Sequence, residues 1–397
     1  MTTLLPPWPY YDQKQINEAS KVLESGKVNY WTGNKSKLFE KKFADFVGTK
    51  YAIAVSNGTV ALYLAYLACG LSKGDEIITT PRTYIATAST AILFGAIPVF
   101  ADVDLDTGNI KFDEIKKLVS PKTKIISVVH LAGCPAEILA IRDFASKNNI
   151  LLVEDCSQAH GAKVLIDKKF KSVGSFGDVS TWSFCQDKII STGGEGGMVT
   201  TNNKNIYELI WSYKDHGKDI NKVNSSSKKP GFKWMHKNMG NNFRITEFQS
   251  SIGICQLDLI KEWNQKRNQN AQILIEALED LKIIRIPSLP KNIIHAWYKF
   301  YCFLNLNFLS DKYSRDEIVK DIEMQGYSAF HGGCSEIYLE EIFQSYSKNY
   351  KKRLPNSKQL GETSLMFLVH PTIDLLKMKS YAKVIRNVLI KASKSSN

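Results

Sequence analysis

Short, continuous apolar runs separated by amphipathic stretches set the plan of this 397-residue chain. Ile125-Ile126-Ser127-Val128-Val129 is representative: one hydroxyl and no charge in five residues. Runs of this kind suit strands covered on both faces, hence a mainly parallel sheet. Strands are predicted over 51–55, 76–80, 98–103, 124–131, 150–154, 178–184 and 197–201. Helical periodicity lies between several of them, for example over 60–68 and 138–148. The alternation runs to about residue 255; a long helix over 246–267 leaves it, followed by a helix near 268–281, a strand over 299–305, a helix near 314–324 and a last helix from about Leu375. The fold class expected is α/β: a large domain, residues 1–255, on a mainly parallel seven-stranded sheet flanked by helices, then a smaller C-terminal α+β domain, residues 256–397. No internal repeat is visible.

Composition narrows the class. At 44% apolar and 23% charged residues the chain reads as an ordinary globular protein, and it lacks the roughly 18 unbroken apolar residues of a membrane span. Met1-Thr2-Thr3-Leu4-Leu5-Pro6-Pro7 has neither the basic part nor the sustained apolar part of a secretory signal. Seven cysteines (69, 134, 156, 185, 255, 302, 334) show no CxxC or CxxH spacing, so no metal site and no disulfide framework is expected, and the cytoplasm is the expected compartment. The net charge of +13 could serve nucleic acid, a membrane surface or an anionic small molecule. It is densest from Lys214 to Lys237, with Lys218, Lys222, Lys228, Lys229 and Lys233 between, where Ser225-Ser226-Ser227 and Pro230-Gly231 predict a loop or hairpin. With no nucleic-acid motif alongside, neither nucleic acid nor membrane is the expected partner, and an anionic substrate such as a diphosphate fits the cluster better.

Ligands of such a sheet bind beyond the carboxyl ends of its strands, so the residues that follow each run are the candidate chemistry. Ser56-Asn57-Gly58-Thr59 opens a helix whose free N–H groups and dipole favour an anion such as phosphate, although Ser56 or Asn57 would equally serve as a plain cap. Tyr84, after the second run, could lie flat on a heteroaromatic ring or belong to the core. His130 could line a pocket or be a satisfied buried histidine. Asp155 ends an apolar strand, where a carboxylate is costly unless it caps a helix or meets a cation such as a pyridinium nitrogen. Gln158 could hydrogen-bond a ring substituent. Ser183 is placed for a phosphate and Lys188 for an aldehyde carbon, with the Gly193-Gly194-Glu195-Gly196-Gly197 cluster just beyond. Together these supply a phosphate cup, a ring stack, a pyridine-nitrogen partner, a second phosphate donor and an imine lysine. They are the parts that pyridoxal 5'-phosphate requires.

The same residues carry a resemblance. From Trp31-Thr32-Gly33 to His370-Pro371 the chain resembles the nucleotide-sugar aminotransferase family of fold type I pyridoxal phosphate enzymes. The likeness is most specific at Val55 to Thr59, Thr83 to Thr87, Glu154 to Gly161, Ser183 to Lys188 with the glycine cluster, and Gly240-Asn241-Asn242-Phe243-Arg244. It implies that Gly58 and Thr59 hold phosphate with Ser183, Tyr84 stacks on the ring, Asp155 pairs with the pyridine nitrogen and Gln158 with the ring oxygen. Lys188 would carry the cofactor as an imine and, once freed, act as the base that moves the proton. Asn242 would reach the cofactor phosphate of a partner subunit, which implies a homodimer with shared active sites. Dehydratases that resemble this pattern carry histidine in place of the lysine, so Lys188 implies aminotransfer.

The expected reaction moves an amino group from L-glutamate to the keto-sugar of a nucleotide-diphosphate sugar, with a 4-keto-6-deoxy sugar as the expected acceptor, in amino-sugar or surface-polysaccharide biosynthesis. Segment 214–238 is where diphosphate contacts are expected. The alternatives are an aminotransferase acting on a cyclitol or cyclic keto-acid, and a non-catalytic anion-binding or regulatory protein. Cys185-Gln186-Asp187 and Ala132-Gly133 depart from the residues more frequent in the family.

Overall fold

A computed structural model describes residues 3–225, 234–345 and 352–394. Among the described residues nine strands precede the long helix: β1 (Tyr51–Val55), β2 (Glu76–Thr79), β3 (Ile97–Phe100), β4 (Thr123–Val129), β5 (Leu151–Asp155), β6 (Lys163–Ile166), β7 (Lys169–Ser172), β8 (Val179–Ser183) and β9 (Gly197–Thr201). Seven of them form one sheet in the order β1-β9-β8-β5-β4-β2-β3. The pairs from β3 to β8 are parallel, and β9 runs antiparallel to both β8 and β1. The seven runs predicted from hydrophobicity are these seven strands: 51–55 and 197–201 match at both ends, and the others have ends shifted by up to three residues.

Alternation along each strand explains why the sheet is covered on both sides. Ile53, Val55, Ile77, Ile125, Val153, Val179 and Val199 share one apolar cluster with Leu62 and Tyr66 of the helix Gly58–Ala68 and with Ile210 of the helix Lys204–Lys214. Their neighbours Ala52, Ala54, Ile78, Ile126, Leu152, Trp182 and Met198 point the other way, into a cluster with Phe39 and Phe43 of the helix Lys35–Val47. The sheet is thereby sandwiched, and its strand ends are held in one plane.

The two helices expected over 246–281 are one, Glu247–Leu278, of 32 residues. Arg267 and Asn270, which look like a polar break in the sequence, are buried because they bind carbonyls of neighbouring segments. Arg267 donates to Trp297 O and Tyr298 O, and Asn270 to Val369 O, His370 O and Ile373 O. Around the far half of this helix lies a separate core of Leu274, Leu278, Phe300, Ile318, Phe367, Tyr381 and Ile385, which Leu5 also joins. Here β10 (Ile284–Arg285), β12 (Phe300–Leu304) and β13 (Ser364–Phe367) form a second sheet, while β11 (Ile293–Ile294) extends the β6–β7 hairpin. Among the described residues, no helix is long and apolar enough to cross a membrane.

Candidate active site

Seven of the eight predicted site residues line a single cavity of about 620 Å³ at the carboxyl ends of the central strands. They are Gly58, Thr59, Tyr84, Asp155, Gln158, Ser183 and Lys188. The eighth, Asn242, does not line it; it is exposed on a loop whose backbone joins β1's end, with Ser56 N donating to Phe243 O at 2.9 Å.

The helix Gly58–Ala68 reconciles the two readings of its first turn. Asn57 Oδ1 accepts from Val60 N at 2.9 Å and is the cap. The preceding N–H groups, those of Gly58 and Thr59, have no partner within a helix and stand at the cavity. A side chain at 58 is impossible as built, because its Cβ would lie 2.7 Å from Ser183 Cβ. Likewise a Cβ on Gly197 would lie 2.4 Å from Asn57 O, so the glycine cluster lets β9 press against the cup from behind.

Two successive carboxylates at the end of β5 face opposite ways. Glu154 is fully buried; its oxygens accept from His130 Nε2 at 3.0 Å and from the amides of Gly174, Phe176 and Gly177. Burial would raise its carboxyl, but His130 and these amides offset burial and hold it below the ordinary value. His130 Nδ1 accepts from Ala136 N at 3.0 Å, which puts the ring proton on Nε2. His130 is thus the satisfied buried histidine and lies outside the cavity. Cys156 completes a group of possible metal ligands with these two, but the Glu154 oxygens are already committed within the protein.

Asp155 points into the cavity instead. Its Oδ2 accepts from Thr87 Oγ1 at 2.9 Å and its Oδ1 from Ser157 N at 3.1 Å, and no helix follows for it to cap. Each oxygen keeps acceptor capacity for a cationic N–H. Gln158 Oε1 accepts from Ala132 N at 2.7 Å, which fixes the amide so that its NH₂ end is the free donor. Tyr84 is 73% exposed, so it is not a core residue.

Lys188 lies on the loop after β8, with its side chain 17% exposed. The indole of Trp8, from the N-terminal segment, donates to Lys188 O at 2.9 Å. Tyr11 meets Ser191 on the same loop, at 3.1 Å between their oxygens. At the other end of the side chain, Nζ is 3.3 Å from Asp187 Oδ1 and 3.4 Å from Tyr298 OH. Burial would raise the Asp187 carboxyl, but Lys188, Tyr298 and Lys299 offset it and hold it below the ordinary value. Behind them burial pulls Lys299 down to about 8, against the opposing charge of Asp187. Thr87, Trp8 and Tyr298 were not found from the sequence as site residues, because each acts across more than sixty positions of chain.

The basic segment differs from expectation. Lys214 is buried: its Nζ lies 3.8 Å from the centroid of the Tyr30 ring and 3.5 Å from Glu40 Oε1. Lys218 pairs with Asp215 at 3.0 Å. Neither is a free surface cation, and Lys228, Lys229 and Lys233 lie outside the described residues.

A sequence model of the DegT/DnrJ/EryC1/StrS aminotransferase family matches residues 9–388. The chain belongs to this family. The aminotransferase of Psychrobacter cryohalolentis, a solved structure, is 44% identical and superposes with a TM-score of 0.94 over 98% of this chain and 99% of its own. The GDP-perosamine synthase of Escherichia coli O157:H7 is 36% identical over 266 residues, 67% of this chain and 68% of its own. The L-glutamine:2-deoxy-scyllo-inosose aminotransferase of Streptomyces kanamyceticus is 33% identical over 300 residues, 74% and 69% of the two chains. As a DegT/DnrJ/EryC1/StrS protein with the fold type I architecture, it is a pyridoxal-phosphate-dependent aminotransferase. The cavity fits that cofactor: a cup that a Cβ at 58 would fill, a carboxylate with open acceptors, a free amide donor and a lysine converge on it.

Proposed function

We propose that this aminotransferase carries nitrogen from L-glutamate to the keto group of a sugar attached to a nucleotide diphosphate, as a homodimer. The observation that carries the reading is the convergence of Gly58, Thr59, Tyr84, Asp155, Gln158, Ser183 and Lys188 on one cavity. The likeness to a GDP-perosamine synthase supports the sugar class.

When bound, pyridoxal phosphate supplies an aldehyde that carries the amino group and a ring that takes up the electrons of a broken C–H bond. The protein's residues do the rest. The N–H groups of Gly58 and Thr59, the dipole of their helix and the Ser183 hydroxyl hold the phosphate. Asp155 would keep a proton on the ring nitrogen, and the Gln158 NH₂ group would donate to the ring oxygen. Tyr84 would stack on the ring. As a neutral amine, Lys188 Nζ would take the α-proton of the amino donor and hold it for return, and the same group would serve the acceptor half of the reaction. Asn242, exposed and outside its own cavity, is assigned to the cofactor phosphate of the partner subunit. Met239, 94% exposed beside it, is an apolar surface for that partner to cover.

A second reading, a cyclitol ketone as acceptor, is favoured by the scyllo-inosose aminotransferase relative. The protein is first loaded with nitrogen by glutamate and then offered a panel of nucleotide keto-sugars and cyclitol ketones. Return of the yellow colour with a nucleotide keto-sugar is the expected result. Return with a cyclitol ketone alone would replace the proposal with the second reading.

A further inference from the structure

Two groups that the reaction above does not use hold the Lys188 amine. Asp187 Oδ1 is 3.3 Å from Nζ, Tyr298 OH is 3.4 Å from it, and the Tyr298 hydroxyl donates to Asp187 Oδ2. The three side chains close a triangle between the lysine loop and the segment before β12. Tyr298 is itself fixed, because its N–H donates to Ala132 O at 2.9 Å and its carbonyl accepts from Arg267 Nη1 at 3.2 Å. Burial, with the adjacent Asp187 charge, holds the Tyr298 phenol well above its ordinary value, while the Asp187 carboxyl lies below its own. At neutral pH the phenol therefore keeps its proton and donates it in a hydrogen bond to Asp187. Both oxygens then meet Lys188 as acceptors.

A neutral amine has two N–H bonds and one lone pair. With one N–H on Asp187 and the other on Tyr298, the lone pair is left facing the cavity. We propose that Asp187 and Tyr298 are positioning residues that take the two N–H bonds of free Lys188 and aim its lone pair at the donor's α-proton. The proposal rests on Lys188 being the reacting amine, as put forward above.

Charge around the lysine gives Asp187 a second part. Lys299 and Arg267 stand on the same wall, Lys299 Nζ lying 4.8 Å from the centroid of the Tyr298 ring. Burial keeps His160 neutral down to about 3. Asp155, Cys185 and Glu195 line the cavity with Lys188, but among the described residues the carboxylate within ion-pair distance of Nζ is that of Asp187. Removing its charge therefore releases the Lys188 amine from its ion pair. Removing the Tyr298 hydroxyl leaves the charge and takes away one anchor. The two variants separate charge from aim.

The test begins on protein freed of cofactor. Lys188 is reductively methylated with formaldehyde and a borane near neutral pH and followed by peptide mass spectrometry, with exposed Lys204 as internal standard. In Asp187→Asn, Lys188 is expected to react about tenfold faster while Lys204 is unchanged; in Tyr298→Phe the Lys188 rate stays within about twofold. In the loaded enzyme both variants should lower kcat about tenfold with the KM for glutamate within about twofold, because only proton transfer is misaimed. The deuterium isotope effect with α-deuterated glutamate should rise in both. Wild-type methylation and kcat in Asp187→Asn would overturn the proposal, and so would parallel losses in kcat and KM that mark a merely structural role. Failure of the underlying reading looks different: Lys188→Ala would then itself transaminate, whatever the methylation rates.

Discussion

Two lysines of this protein, Lys214 and Lys188, have opposite surroundings. Lys214 is 0% exposed, lies against the Tyr30 ring and has Glu40 as its counter-charge, with Asp215 adding to the pull; burial still holds its amine below the ordinary value. Every bond it makes ends in the protein. Lys188 keeps 17% of its side chain exposed, is gripped by Asp187 and Tyr298 on one side, and opens on a 620 Å³ cavity on the other. Burial alone does not mark a reactive lysine. What distinguishes Lys188 is that its partners leave one direction unfilled, and that this direction meets a carboxylate, a free amide and a helix N-terminus.

The comparison breaks most sharply at Lys188→Ala. Turnover should fall by at least about 10³-fold, with the melting temperature within about 2 °C of wild type, since the side chain supports chemistry and little packing. Asp155→Ala should cost about 10²-fold in rate and weaken cofactor retention on dialysis, because the ring nitrogen loses its partner. Lys214→Met is the mirror image. It leaves Glu40 without its counter-charge and should lower unfolding free energy by about 3 kcal/mol in denaturant titration while kcat stays within about twofold. Adding Glu40→Gln should restore part of that loss. A large kcat loss in Lys214→Met would dissolve the distinction between the two lysines.

A further contrast concerns pH. His160 packs among Phe43, Trp182 and Phe184, and burial pulls it down to about 3 from an ordinary 6.5. The unfolded chain then binds a proton that the folded chain refuses, so stability present above 6.5 is lost as pH falls toward 3, by up to about 1.4 kcal/mol per unit. His160→Phe should flatten this acid slope in unfolding experiments. An unchanged slope would remove His160 as a cause.

Much of the site was legible because its residues sit at the ends of strands that hydrophobicity alone reveals. Asp155 and Ser183 could be placed once β5 and β8 were, and Gly58 once the following helix was. What was not legible depends on distant chain. Tyr298 meets Asp187 across 111 positions, and Trp8 meets Lys188 across 180. Nothing local in either sequence advertises the pairing. The β6–β7 hairpin was missed because its turn, Asp167-Lys168, adopts positive φ without glycine. Arg267 and Asn270 carry polar side chains of a type usual at the surface, yet they are buried where they bind backbone carbonyls. The basic segment misled through Lys214, whose charge faces inward.

The central claim is that Lys188 is the lysine that carries the cofactor. Borohydride reduction of the loaded enzyme, followed by digestion and mass spectrometry, tests it directly. The account predicts one reduced cofactor on the peptide containing Lys188 and none elsewhere. The rival lysine is Lys299, also beside Tyr298, with an amine that burial pulls down to about 8. A label on Lys299, or on any lysine other than 188, would contradict it.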